Sequence, residues 1–151
     1  MAGKLKIALG ADHGGFALKE GIKAYLKAKG HEVLDFGTNS EASCDYPEFG
    51  SKAAKAVGEK KADYGIVICR SGFGMCIVAN KIRTVRCATC DAPGEAETAR
   101  KHNDCNVLSL GANRVSLDEA IKITDIFIST KAEGDRHQRR VEQIKSLETK
   151  K

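Results

Sequence analysis

Short runs of aliphatic and β-branched residues alternate along this chain with stretches of helical period, and that alternation constrains the fold more than any other feature. Its sharpest instance is Tyr64-Gly-Ile-Val-Ile-Cys69. An unbroken apolar run of this length suits a strand covered on both faces, as in a parallel sheet. Residues 4–10, 31–36, 85–90 and 106–110 read as further strands. Residues 16–29 form a helical stretch with Leu18, Ile22, Tyr25 and Leu26 on one stripe, ended by Gly30. Residues 48–59, 75–81, 95–102, 117–129 and 135–148 read as helices as well. The pattern predicts right-handed βαβ units in one α/β domain over residues 1–151. Its core would be a Rossmann-like, doubly wound parallel sheet of about five strands, with helices on both faces and a C-terminal helix.

A chain of 151 residues hides roughly 70% of its unfolded surface, enough for one core without staples. The six cysteines are therefore not needed as disulfides. No apolar run approaches the ~20 residues of a membrane span, and the first residues lack a secretory pattern. The expectation is a cytoplasmic protein with reduced thiols and no membrane partner. The net charge of +5 raises the question of nucleic acid, yet 25 basic residues are interleaved with 20 acidic ones, and five Phe and three Tyr offer little stacking surface. The excess is better read as a local anion site. From residue 131 onward there are seven Lys or Arg against four Asp or Glu, so the tail is the place for it.

Open parallel sheets collect ligands at the carboxyl ends of their strands. That selects the loops at residues 11–15, 37–47, 70–74 and 111–115. In Cys69-Arg70-Ser71-Gly72-Phe73-Gly74 a strand passes into a helix through two glycines, which lets several amides face outward as an anion cradle. A thiol beside that positive helix end favours its thiolate, making Cys69 a candidate base or nucleophile. Familiar motifs fail in their details. Ile77 breaks the dinucleotide fingerprint, Phe16-Ala17 replaces the Lys-Ser/Thr of a phosphate loop, and Cys69 stands where a serine-hydrolase elbow needs glycine. Cys87 and Cys90, three apart on a strand, face opposite sides and read as packed thiols. Without a second pair they make no zinc site. His13 follows Asp12 in the first of these loops, and His102 opens the polar run His102-Asn103-Asp104. Histidine can bind phosphate or move protons there. Arg136 and Arg140, one helical turn apart, suit a phosphate gripped by two guanidiniums.

These stretches resemble the family of type B ribose-5-phosphate isomerases, shared with the galactose-6-phosphate isomerase subunits. The resemblance runs from Lys6-Ile-Ala-Leu-Gly-Ala-Asp-His-Gly-Gly-Phe16 to Glu142 and takes in Asp45-Tyr46-Pro47, Ala79-Asn80-Lys81, the run from His102 to Leu108, and Glu133-Gly-Asp-Arg-His137. It implies interconversion of ribose 5-phosphate and ribulose 5-phosphate in the pentose phosphate pathway. A hexose 6-phosphate (allose or galactose) or a non-catalytic sugar-phosphate module are the alternatives. By the same resemblance Cys69 is the base between C2 and C1, Ser71 assists at the reacting oxygens, and the amides of Ser71, Gly72, Phe73 and Gly74 hold the enediolate. His102 opens the furanose, with Asp45 and Tyr46 near it. Asp12 and Asn103 meet substrate hydroxyls, while His13, Arg136 and Arg140 take the phosphate. No metal and no cofactor are implied, and the family forms homodimers with sites at the interface. Arg70 stands where the family often has glycine, and Asn113 then Arg114 stand where it often has a phosphate-binding arginine one position earlier.

Overall fold

A computed structural model describes residues 3–148. The strands are β1 (Lys6–Ala11), β2 (Glu32–Asp35), β3 (Tyr64–Cys69), β4 (Cys87–Thr89) and β5 (Val107–Gly111). The helices are α1 (Phe16–Ala28), α2 (Tyr46–Gly58), α3 (Phe73–Asn80), α4 (Pro93–Asn103), α5 (Leu117–Ser129) and α6 (Arg136–Glu148). All pairings are parallel, in the order β2-β1-β3-β5-β4. The α/β, doubly wound architecture expected from the sequence is the one observed. No helix among the described residues is long and apolar enough to cross a membrane.

The apolar run of β3 divides by pleat, as a two-sided strand must. Ile66 and Ile68 join Ile7, Leu9, Leu108 and Leu110 under α1, α4 and α5, where Ile22, Ile123 and Phe127 are fully buried. Val67 and Cys69 face the other way, toward the small residues Ala53, Ala54 and Val57 of α2 and Met75 and Ala79 of α3. Cys87 and Cys90 fall on these opposite faces. The chain leaves β1 toward β2 on one side and β3 toward β4 on the other. The carboxyl ends of β1 and β3 therefore flank a topological switch point, the usual ligand crevice of such sheets.

Element ends differ from the sequence reading where caps decide them. Asp45 precedes α2 and Pro47 sits in its first turn, so Asp45-Tyr46-Pro47 opens a helix instead of lying in a loop. The helix α3 begins at Phe73, two residues earlier than its hydrophobic period suggested, because Gly72 adopts φ +83° and turns the chain directly into it. At α5 a reciprocal cap, Glu119 N–H to Ser116 Oγ at 3.2 Å and Ser116 N–H to Glu119 Oε1 at 2.8 Å, sets the start where the sequence placed it.

Candidate active site

Cys69 closes β3 and is buried. The Gly72 amide donates to its Sγ at 3.2 Å, a hydrogen bond that strengthens when the sulfur is charged. The turn itself is pinned from neighbouring strands, since Gly72 O accepts from Ser109 Oγ at 2.5 Å and from Thr89 Oγ1 at 3.3 Å. A side chain at Gly72 would be strained by its φ and would meet the Leu110 carbonyl carbon at 3.0 Å. The Phe73 amide donates to Ser71 Oγ at 3.1 Å. Two of the four amides expected to cradle an anion are thus engaged within the loop. Those of Ser71 and Gly74 have no acceptor among the described residues and stay open at the start of α3.

The β1 loop lies beside this turn. Asp12 is buried, and its Oδ1 accepts from the Gly15 amide at 3.1 Å, which fixes the entry into α1. His13 Nδ1 accepts from the Cys44 amide at 3.2 Å, leaving Nε2 as the donor of that ring. The stem of Arg70 passes over Gly14. Tyr46, from the first turn of α2, lays its ring against Gly74, where a side chain would come within 2.6 Å of it. Asp45 next to it is exposed. Asp12, His13, Asp45, Tyr46, Cys69 and the Ser71–Gly74 turn therefore gather at one edge of the sheet.

His102, Asn103, Arg136 and Arg140 form a second group at the α4–α6 end. His102 is in the last turn of α4, and its ring stacks on that of His137 at 4.1 Å between centroids. Burial, then the neighbouring His102 and Arg136, hold the His137 imidazole below its usual pKa. Arg136 and Arg140 are exposed on α6 as the spacing predicted. Among the described residues no hydrogen bond, ion pair or ring contact joins this group to the Cys69 edge. The backbone beneath it is clamped by two arginines that the sequence reading passed over. Arg100 donates to Cys105 O at 2.6 Å, Thr130 O at 2.9 Å and Asp104 Oδ1 at 2.9 Å, and Arg86 donates to the carbonyls of Asn103 and Asp104 at 2.8–3.1 Å. Arg100 sits at the i+4 pairing distance before Asp104, a visible signal, but its burial among Tyr64 and Phe127 was not.

Three further side chains stand apart from the sequence reading. Arg114 is bidentate to Asp91, with Nε at 3.0 Å from both carboxylate oxygens, and lies over the Phe73 ring at 5.0 Å. Its guanidinium is committed within the fold instead of standing free for a phosphate. Lys19 is fully buried, and its ammonium reaches Asp35 at 2.8 and 2.9 Å and Thr38 O at 2.8 Å. Burial opposes ionisation of Asp35, yet bonds from Lys19, Lys23 and the Gly37 amide outweigh it and hold the carboxyl below its ordinary range. Cys76 is only half-buried, and its Sγ lies 3.4 Å from Cys87 O. A hydrogen bond with the Cys87 side chain, working against burial, leads a set of contacts that draws the Cys76 thiol down to about 6.

Comparison with known proteins identifies the family and the fold. A family model described as Ribose/Galactose Isomerase matches residues 7–144. The chain is 44% identical over 146 residues to ribose-5-phosphate isomerase B of Escherichia coli, covering 97% of this chain and 98% of that one. Among solved structures, ribose-5-phosphate isomerase B of Clostridium thermocellum superposes with a TM-score of 0.94 at 46% identity, covering 96% of this chain and 98% of its own. The Mycoplasma genitalium ribose-5-phosphate isomerase B, solved with bound ribulose-5-phosphate, gives 0.93 at 39% identity with 97% of both chains covered.

Proposed function

The chain belongs to the ribose/galactose isomerase family and is an isomerase, and we propose that it interconverts D-ribose 5-phosphate and D-ribulose 5-phosphate through an enediolate. The observation that carries this reading is the Cys69 thiol, held at 3.2 Å by the Gly72 amide beside two open amides at the start of α3. Cys69 takes the proton from C2, the C–H electron pair forms the C1=C2 bond, and the carbonyl π pair moves onto O1 to give the enediolate. The thiol then returns the proton to C1, while Ser71 Oγ relays the hydroxyl proton between O2 and O1. The open amides of Ser71 and Gly74 serve as donors to the developing oxyanion in this reading, and one such donor can be worth ~100-fold or more. His102 moves the proton that opens the furanose. Asp12 and Asn103 bind hydroxyls, and His13, Arg136 and Arg140 bind the phosphate.

The reading requires a second copy of the chain, because the base and the ring-opening histidine sit in separate groups. Phe73 and Ile77, one turn apart on α3, are 53% and 62% exposed, and Tyr46 adds a third exposed apolar side chain beside the Cys69 turn. An apolar rim of this kind around an incomplete site supports a homodimer in which His102 of one protomer serves the Cys69 turn of its partner.

The test is an isomerase assay with ribose 5-phosphate, and with allose and galactose 6-phosphates for comparison. Cys69→Ala and His102→Ala are each expected to be inactive. Unfolded and refolded together in equal amounts, they should regain about a quarter of wild-type activity, since half the dimers would carry one intact site of two. No recovery, with each variant folded and dimeric, would place both residues in one protomer's site. Faster turnover of a hexose phosphate would replace the substrate.

A further inference from the structure

We infer that His102, Glu133 and His137 form a binding site for a divalent transition-metal ion of the zinc type, and that filling it withdraws His102 from its other work. The three residues come from three segments: the end of α4, the loop before α6 and the first turn of α6. The Glu133 amide donates to Lys101 O at 3.0 Å, which ties that loop to the end of α4 and holds the set together. Glu133 Oε1 lies 3.6 Å from His137 Nε2 and 3.9 Å from His102 Nε2, and a ligand atom from each residue lies within 4.8 Å of the others.

A second observation points to a ligand. His137 is 8% exposed, and its Nε2 is one of two buried side-chain polar atoms without a hydrogen-bond partner among the described residues. A buried nitrogen of this kind is destabilising unless something satisfies it. Two imidazoles and a carboxylate are the ligand set of open zinc sites, with the fourth position left to water. Tetrahedral bonds of ~2.0–2.2 Å bring neighbouring ligand atoms to roughly 3.4 Å. The carboxylate contacts are within half an ångström of that. The two rings are stacked nearly parallel, at 9°, so one must swing out of the stack to aim its lone pair at a shared ion. His102 can do so, since its side chain is 46% exposed.

The inference is independent of the isomerase reading when binding is measured without substrate. Chelator-treated full-length protein is titrated with Co²⁺ for its visible d–d spectrum and with Zn²⁺ in competition against a chromogenic indicator. The expected result is one ion per chain in a nitrogen-and-oxygen environment, weakened at least tenfold in both Glu133→Gln and His137→Gln. Glu133 is exposed, so its variant tests the site even where His137→Gln disturbs packing. A cobalt spectrum dominated by thiolate charge transfer, or zinc affinity unchanged in Glu133→Gln, would overturn the site. In the isomerase assay zinc should inhibit the wild type reversibly, with EDTA restoring activity, and Glu133→Gln should resist. Binding without such inhibition would overturn the withdrawal of His102 and leave the site itself standing.

Discussion

At the turn after β3 the polar atoms are main-chain amides, fixed by Gly72, by Ser109 and Thr89 beneath it, and by the end of a buried strand. At the α4–α6 end they are the tips of long side chains, with His102 half in solvent and Arg136 and Arg140 exposed. Both regions are assigned parts of one reaction, yet they are built for different tasks. Charge that develops during proton transfer needs donors that do not reorganise, and a backbone turn supplies them. A phosphate that must be caught and released tolerates flexible guanidiniums, whose rigid fork provides the geometry on contact. The first region should therefore govern kcat, and the exposed arginines of the second should govern KM.

Removing Cys69 tests that division most severely. Cys69→Ala should lower kcat by ~10³-fold in steady-state kinetics, the usual scale of a lost general base, with KM little changed. A variant with wild-type kcat would remove the turn from the chemistry.

The next effect lies away from that turn, where Lys19 of α1 ties down the end of β2 and the loop after it. Asp35→Asn leaves a fully buried ammonium with Thr38 O and Glu20 as partners. Because those remain and Asp35 is partly exposed, the loss should be about 2–3 kcal/mol, under the ~3–5 typical of a broken buried pair, read by urea unfolding at pH 7. The Asp35 carboxyl is held low in the folded state. Its contribution is thus complete above the unfolded value near 3.9 and fades as pH falls through the lower folded value. The gap between wild type and Asp35→Asn should persist from pH 7 to about 5 and close only in stronger acid; a gap that closes near neutrality would implicate another group.

Arg136→Ala and Arg140→Ala sharpen the other half of the comparison. Each should reduce kcat/KM by roughly 10- to 100-fold, mostly through KM, as lost charge-assisted hydrogen bonds to a phosphate do. A fall confined to kcat would place these arginines at the reacting centre. The smallest effect belongs to Arg114→Ala. With its guanidinium already paired to Asp91 on the surface, kcat/KM should stay within about fivefold of wild type. A 100-fold rise in KM would show that the pair opens to take the phosphate after all.

Much of this was legible in the residues. Short apolar runs and 3.6-residue patterning located the strands and helices of the described residues, and the Gly-Phe-Gly sequence after Cys69 marked a tight strand-to-helix turn by steric necessity. The buried partners were harder to see. Lys19 sits among the apolar positions of α1 at the spacing of a surface lysine, and only the approach of Asp35 and Thr38 makes its burial tolerable. Cys76 belongs to a helix that looks apolar all round, and the edge of β4 gives its thiol partners from eleven residues away.

The sequence by itself determined the alternation of strands and helices, the parallel sheet, and the thiol and glycines at the end of β3, because local period and turn chemistry act over a few residues. Only the tertiary structure decided that β5 lies between β3 and β4, that Asp91 claims Arg114, and that His102, Glu133 and His137 converge while standing apart from Cys69. Those outcomes depend on contacts between segments tens of residues apart, whose formation is governed by packing and charge compensation across the whole sheet.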